Sequence, residues 1–409
     1  MAREYDVVVF GATGFTGKLV AEYLLSQYGA DGELRWAMAG RSQAKLEEVA
    51  GQLGAQVPLL TCDSNDAQAL ETLAQSTTVM CTTVGPYALY GSGLVGACVK
   101  HGTHYCDLTG EVQWMQKMIS THQDSAQASG ARIVHTCGFD SIPSDLGVFF
   151  LQQAMQQAHG VPATHIKYRA AGFSGTFSGG TVYSMINMFD EAAKDPGLRK
   201  MMADPYSLNP PGSSQGSDVN DQTGALYDED LQRWTMPFVM AAINTRVVRR
   251  SNALMNNAYG ADFNYDEAVL APKGQGAIKS KLVAAAMGLG TAAIAFKPSR
   301  ALIKGKLPAP GEGPSKQQRE EGYYDIYLYG IHPHDRSKDM IARVTGDMDP
   351  GYGSTSKMLA EAAACLAKDE LSCTGGFLTP ASAMGDKLVQ RLIASAGLTF
   401  ELVDGIADQ

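Results

Sequence analysis

The chain lacks the features that announce a disulfide scaffold or a structural metal. Its seven cysteines are scattered, with no Cys-x-x-Cys pair and no Cys/His ligand spacing, so neither bridges nor zinc are indicated and no metal site is expected. Charged residues make up only 18%, and acids exceed bases to a formal charge of −9, which argues against a general nucleic-acid binder. There is no Gly-x-x-x-x-Gly-Lys-[Ser/Thr] loop, which argues against a phosphate-hydrolysing enzyme. No tyrosine is followed four positions later by a lysine, so the Tyr-x-x-x-Lys acid–base pair of short-chain dehydrogenases is missing. No charged-then-apolar leader precedes Tyr5, and a reducing cytoplasm is the expected setting.

What is present is a large apolar reserve. Hydrophobic residues reach 45% over 409 positions, enough for two domains with substantial cores. The chain opens on an apolar run, Asp6 to Phe10, followed by Gly11-Ala12-Thr13-Gly14-Phe15-Thr16-Gly17. The run reads as a strand and Thr16 to Tyr28 as a helix. A strand–turn–helix of this kind aims free N–H groups and a positive dipole end at a pyrophosphate. The spacing is GxxGxxG rather than GxGxxG, and a glycine triplet alone is a weak signal.

The next unit adds to it. Leu34 to Ala39 reads as a second strand ending in Gly40-Arg41-Ser42. An acid at this strand end would bind the 2′-hydroxyl of NAD, whereas an arginine accommodates the 2′-phosphate of NADP. Arg41 stands there, so NADP(H) is the expected cofactor; the alternative has Arg41 capping its own strand or pairing with Glu47. Asp63 ends a third short strand, Val57 to Cys62, where it either meets the adenine or caps a helix.

Strand and helix alternate with short connections to about residue 140, as a doubly wound parallel sheet requires. The expected division is a Rossmann-type domain over 1–146, an α+β domain over 147–347 carrying an antiparallel sheet, and C-terminal helices over 348–409 that return to the first domain.

Ligands in open α/β sheets bind at the carboxyl ends of the strands. Three groups fall there: Gly85-Pro86-Tyr87, His104 to Glu111, and Gly138 to Asp145. A hydride transfer needs a held nicotinamide and, for many substrates, a proton donor. Tyr87, a phenol on a Gly-Pro turn, is the first candidate, unless it packs inward with its hydroxyl on backbone. His104 could relay protons or point into the core, and Asp107 could orient a donor or bind substrate. Glu111 does the same or stabilises the following helix start. Gly85, Pro86, Asp140 and Ser141 are expected beside the cofactor, and Ser144 reads as an N-cap. Cys106 and Cys137 read as structural, since nothing nearby lowers their pKa.

One segment departs from the average composition. Ala268 to Gly311 holds no acid but carries Lys273, Lys279, Lys281, Lys297, Arg300, Lys304 and Lys306. Within it, Leu282 to Phe296 is uncharged and falls short of the roughly 20 residues that span a bilayer. Two readings compete: a basic-flanked helix lying in a membrane interface over 279–306, or a buried helix between solvated ends.

Taken together, these stretches resemble the saccharopine-dehydrogenase-like oxidoreductases, and within them the trans-acting enoyl reductase branch. The matching pieces are Gly11 to Gly17, Ala39 to Ser42, Val84 to Tyr87, Gly102 to Glu111, Gly138 to Asp145, Leu307 to Pro314, Asp349 to Gly353 and Gly375 to Ala381. The resemblance implies an NADP(H)-binding Rossmann domain and a second domain with an antiparallel sheet. It implies reduction of a carbon–carbon double bond in a polyketide or fatty-acyl chain, free or carrier-bound, with hydride to the β-carbon and a proton to the α-carbon. It also implies contact with membranes or lipid droplets, as in eukaryotic relatives. Two other readings are carried forward: a saccharopine-type dehydrogenase acting on a C–N bond, with Arg169, Arg246 or Arg249 on a substrate carboxylate, and a non-catalytic membrane-associated dinucleotide-binding protein. A homodimer is a common state for acidic α/β enzymes.

Overall fold

The computed structural model describes residues 3–175, 179–213, 215–216, 220–296, 298–299 and 313–407. Lys297, Arg300, Lys304, Lys306 and the stretch 307–312 lie outside them. Six strands open the chain: β1 (Tyr5–Phe10), β2 (Trp36–Gly40), β3 (Leu59–Thr61), β4 (Thr77–Thr82), β5 (His104–Cys106) and β6 (Arg132–Val134). All six residues of β1 are buried, because helices cover both faces of a parallel sheet and a central strand can then be apolar throughout. Val7 and Val9 enter one core and Val8 and Phe10 the other, as strand alternation dictates.

Six further strands follow: β7 (His165–Ser174), β8 (Leu226–Asp228), β9 (Arg233–Pro237), β10 (Asn264–Leu270), β11 (Tyr323–Ile331) and β12 (Met340–Gly346). Two more, β13 (Gly376–Leu378) and β14 (Leu398–Val403), close the chain. The first sheet runs β13-β6-β5-β4-β1-β2-β3 and is parallel throughout, a doubly wound Rossmann order with β13 added at one edge. The second runs β14-β12-β11-β7-β10-β9-β8.

The second sheet is mixed rather than antiparallel: β7 and β10 pair in parallel while its other neighbours are antiparallel. The chain leaves β7, forms the β8–β9 hairpin and the helix Ala241–Leu254, and only then returns as β10. A parallel neighbour needs such a long crossover, and this one supplies it. The tail is also more than helices. Helix Thr355–Lys368 packs on the first sheet against β1, β4 and β5, but β13 extends that sheet and β14 extends the second one.

One core joins the two sheets. Leu146, Val148, Leu151 and Met155 of helix Ile142–His159 pack with Ile326 and Leu328 of β11 and Val344 of β12, in the cluster that also holds Val7 and Val9. Buried acids sit in this joint. Burial raises the carboxyl of Asp145 to about 7, despite hydrogen bonds from Ser251 and the Ala381 N–H. Glu267 is likewise raised to about 7 by burial, against bonds from Tyr265 and Asn244.

The basic-flanked apolar segment is a helix, Ala277–Ala295, and the buried reading of it does not hold. Only Ser280 and Ala284 are buried, whereas Ile278 is 79% exposed, Leu282 66% and Leu289 71%. It seats Ala284 against Met236 and Ala271, sets Lys281 over the Trp234 ring, and also touches the helix Gly179–Lys194.

The raised acids give stability a pH dependence. A carboxyl with a folded pKa above its unfolded value contributes stability at low pH that is lost as pH rises through the folded value. Opposing them, Asp266 is held at about 2, where bonds from His165 and Arg169 outweigh the effect of burial, so its contribution fades on acidification. Thermal unfolding at pH 5, 6.5 and 8 should therefore show a melting temperature that declines from pH 5 to pH 8. A flat or rising profile would contradict the placement of Asp145 and Glu267.

Candidate active site

The carboxyl edge of the first sheet is built around close backbone contact. Gly11 has φ +94°, and a Cβ there would lie 2.7 Å from Val84 Cγ2. At Gly17 a Cβ would sit 2.1 Å from the Gly11 carbonyl oxygen, so only glycine lets helix Phe15–Tyr28 start this close to β1. No side chain caps that helix and no acid stands in its first turn, which leaves its N–H groups and positive dipole end for an anion. Ala12 and Thr13 line the turn, and Thr13 touches Gly40 at the end of β2. Thr16 lies in the first helical turn, and the Phe15 ring packs edge-on against Tyr352 at 4.7 Å with Arg319 above it. The Phe15 ring is thus engaged by protein neighbours.

Arg41 follows β2, is exposed, and has no hydrogen-bond or ion-pair partner among the described residues. Glu47 is bonded by Gln43 instead. Ser42 caps helix Gln43–Leu53 by accepting from the Lys45 N–H. Asp63 accepts from the backbone and side-chain N–H groups of Asn65, and the cap of helix Ala67–Ser76 is Asp66. These features fit an NADP-type adenosine end: a free guanidinium for a 2′-phosphate, beside an uncapped helix start for the pyrophosphate.

The other half of the edge follows β4, β5 and β6. Gly85 is exposed and Pro86 half-buried at its rim. Tyr87 turns inward: its hydroxyl donates to the Thr82 carbonyl and accepts from the Leu108 N–H, both at 3.2 Å, while its ring stacks on Trp114. Burial pushes its phenol well above the ordinary value. Both capacities of that hydroxyl are taken by backbone, so it ties the exits of β4 and β5 together. His104 lies at the amino end of β5, the opposite edge, where its Nδ1 accepts from the Arg132 N–H. Burial and the Arg132 charge hold it down at about 4.

Asp107 is fully buried. One oxygen accepts from the Thr109 and Thr136 N–H groups, and the other meets the Tyr105 hydroxyl at 2.9 Å and His135 Nδ1 at 2.7 Å. His135, which the motifs did not flag, sits in an aromatic cage of Tyr105, Trp114 and Phe377. Glu111 accepts from the Tyr87 and Ala88 N–H groups and from Ser184, so it caps the short helix Tyr87–Tyr90 rather than its own. Burial outweighs these bonds and raises its pKa. Cys106 and Cys137 are buried with thiols pushed well up by burial, as structural cysteines are.

After β6 the backbone is pinned and two side chains diverge. Cys137 N–H bonds the Asp107 carbonyl, Phe139 N–H bonds Thr355 Oγ1, and Ser141 and Ile142 N–H groups bond the Gly138 carbonyl. Ser141, not Ser144, is the N-cap residue of helix Ile142–His159, and its hydroxyl donates to Asn244 Oδ1 of the second domain. Asn244 in turn bonds Glu267. Asp140 has no hydrogen-bond or ion-pair partner among the described residues.

The arginines named for a substrate carboxylate are committed elsewhere. Arg169 pairs with Asp228 and Asp266, Arg246 with Asp221, and Arg249 with the Pro205 and Tyr265 carbonyls.

Comparison with known proteins assigns the lineage. Residues 7–134 match the saccharopine dehydrogenase NADP binding domain. A Mycobacterium tuberculosis protein that carries the trans-acting enoyl reductase name is 42% identical over 98% of this chain and 97% of its own. This chain belongs to the trans-acting enoyl reductase family. The reductase of Mycobacterium ulcerans is 38% identical over 95% of this chain and 96% of its own. Among solved structures, the L-Glu-forming saccharopine dehydrogenase of Saccharomyces cerevisiae superposes with a TM-score of 0.54 at 12% identity, covering 98% of this chain and 100% of that one. That likeness establishes the shared fold. The protein is thus an NADP-dependent oxidoreductase of this family.

The guanidinium of Arg41 has a measurable consequence. Arg41→Ala should weaken NADPH binding by about tenfold or more, the scale of a charge-assisted bidentate contact, and leave NADH binding nearly unchanged. Fluorescence titration with both cofactors checks it; equal loss for both would remove Arg41 from the 2′-phosphate.

Proposed function

We propose that this protein is an NADPH-dependent trans-acting enoyl reductase that reduces a carbon–carbon double bond in a carrier-bound polyketide or fatty-acyl chain. The carrying observation is the full-length similarity to relatives of that name, at 37–42% identity. The internal pairing of Arg169, Arg246 and Arg249 supports it over the saccharopine-type alternative, because amino-acid adducts need free cations for their carboxylates.

Each residue group then has a part. The Gly11–Gly17 turn would hold the pyrophosphate on its free N–H groups, and Arg41 the 2′-phosphate, with Ser42 and Asp63 on the adenosine side. Gly85, Pro86 and Asp140 would flank the nicotinamide end. When bound, the cofactor supplies a hydride. Tyr87, Asp107 and Glu111 act as positioning residues, locking the exits of β4, β5 and β6 through bonds to backbone. Ser141 couples the edge to the second domain through Asn244 rather than facing the cofactor.

NADPH absorbance followed with and without a medium-chain 2-enoyl thioester tests the reaction. Oxidation only with the thioester present is the expected result. Tight NADPH binding with no oxidation of this or an amino-acid substrate would favour the non-catalytic reading.

The helix Ala277–Ala295 supports a peripheral lipid contact within the same proposal. Exposed Ile278, Leu282 and Leu289 lie on a helix that also bears Lys279 and Lys281, the combination that seats a helix in an anionic interface. The purified protein should sediment with vesicles containing phosphatidylserine, and a Leu282→Glu, Leu289→Glu double variant should sediment several-fold less. Equal recovery of both proteins in the supernatant would leave this helix without a lipid role.

A further inference from the structure

The acids at the carboxyl edge of the first sheet divide sharply by what they bond. Asp107 meets four hydrogen-bonding groups and Glu111 accepts from three donors. Asp349 accepts from the Tyr352 and Gly353 N–H groups. Asp140 alone among these bonds nothing in the described residues. It is not a loose surface acid. The backbone on both sides is held, by Phe139 N–H on Thr355 and Ser141 N–H on the Gly138 carbonyl, and the Ser141 side chain is anchored to Asn244. A carboxyl on a held stretch of backbone, with its own hydrogen-bonding capacity unused, is what a site needs for a ligand.

Three other candidate proton carriers of these strands and their exits are spent. Tyr87 bonds backbone at both ends of its hydroxyl, Cys137 is buried against the Val134 and His135 carbonyls, and His104 is on the far side of the sheet. We propose that Asp140 is the catalytic proton donor, delivering its carboxyl proton to the α-carbon of the enoyl substrate. This inference rests on the enoyl-reductase reading. As the β-carbon takes a hydride, with NADPH leaving as NADP+, the π electrons of the double bond take the Asp140 proton at the α-carbon. One π bond is lost and two C–H bonds form. Asp140 is left as a carboxylate and regains its proton from solvent.

The local environment suits that task. The residue is half-buried, and burial together with the nearby Asp107 raises its carboxyl to about 7. A general acid is most effective when its pKa lies near the working pH. Tyr87, from the β4 exit, also lies within electrostatic reach. An acid kept partly protonated at neutral pH destabilises the fold as pH rises, so the same group has a signature apart from turnover.

Asp140→Asn tests both sides. Turnover with the enoyl thioester at saturating NADPH should fall at least about a hundredfold, the usual scale for losing a general acid. Without cofactor, the variant should melt higher than the wild type at pH 8, with the gap narrowing at pH 5. Asp140→Glu, which keeps the carboxyl, should retain more turnover than Asp140→Asn, and Asp140→Ser serves as the comparison should the asparagine variant fail to fold. Turnover of Asp140→Asn within threefold of wild type overturns the assignment, as does a lower melting temperature at pH 8, which would mark Asp140 as structural. A wild type that never oxidises NADPH with the thioester overturns the reductase reading itself, and that arm is read separately from the variants.

Discussion

Asp107 is the contact on which the working edge of the molecule depends. Its carboxylate gathers the Thr109 N–H from its own loop, the Thr136 N–H and His135 ring from the exit of β6, and the Tyr105 hydroxyl from β5. The short strands β5 and β6 share only a few ladder positions, so the exits need another tie, and a buried acid with four partners provides it. Removing that carboxylate would strand a histidine, a phenol and two N–H groups in a fully buried place, at a cost of several kcal/mol. Thr136 stands at φ 60°, an uncommon conformation for a β-branched residue. Its N–H on Asp107 is part of what holds it there.

From that tie the rest of the edge follows. Leu108, next in the chain, donates its N–H to the Tyr87 hydroxyl, which fixes the β4 exit against the β5 exit. Glu111 then closes the same turn from the other side. On the β6 side, Cys137 N–H on the Asp107 carbonyl sets the start of the turn whose far end carries Asp140 and Ser141. Ser141 passes the constraint to Asn244 and Glu267, and so to β10 of the second sheet. Cofactor edge and second domain are thereby one hydrogen-bonded assembly.

How much of this was legible in the residues differs by region. The Rossmann half was readable nearly in full, because parallel buried strands are apolar runs and Gly11 and Gly17 mark a turn where backbone must approach backbone. The second half was not. β8 has three residues and β13 three, too short to show a period of two, and the parallel β7–β10 pairing is set by a crossover of about ninety residues that no local pattern reports. The helix Ala241–Leu254 is buried while carrying Arg246, Arg249 and Arg250, so its polar sequence hid a core element. Those arginines stay buried because carbonyls and Asp221 pair with their guanidinium groups, although Arg246 Nε is left without a partner among the described residues.

At the site itself, sequence could nominate side chains by position along a strand but not by direction. Tyr87 and Asp107 stand on the expected loops and both turn inward, because each finds donors or acceptors on neighbouring strand exits that only the folded sheet brings near. His104 shows the converse error: a three-residue strand has its two ends about 7 Å apart, and the wrong end belongs to the other edge. Bonding, rather than residue type, separates a group that holds the site from one that can act in it. A phenol with two backbone partners would have to give up both to move a proton, whereas an acid with none gives up nothing. Of the acids and proton carriers named at the exits of β4, β5 and β6, Asp140 is the one that the described fold leaves unspent, while Tyr87, Asp107 and Glu111 beside it are saturated.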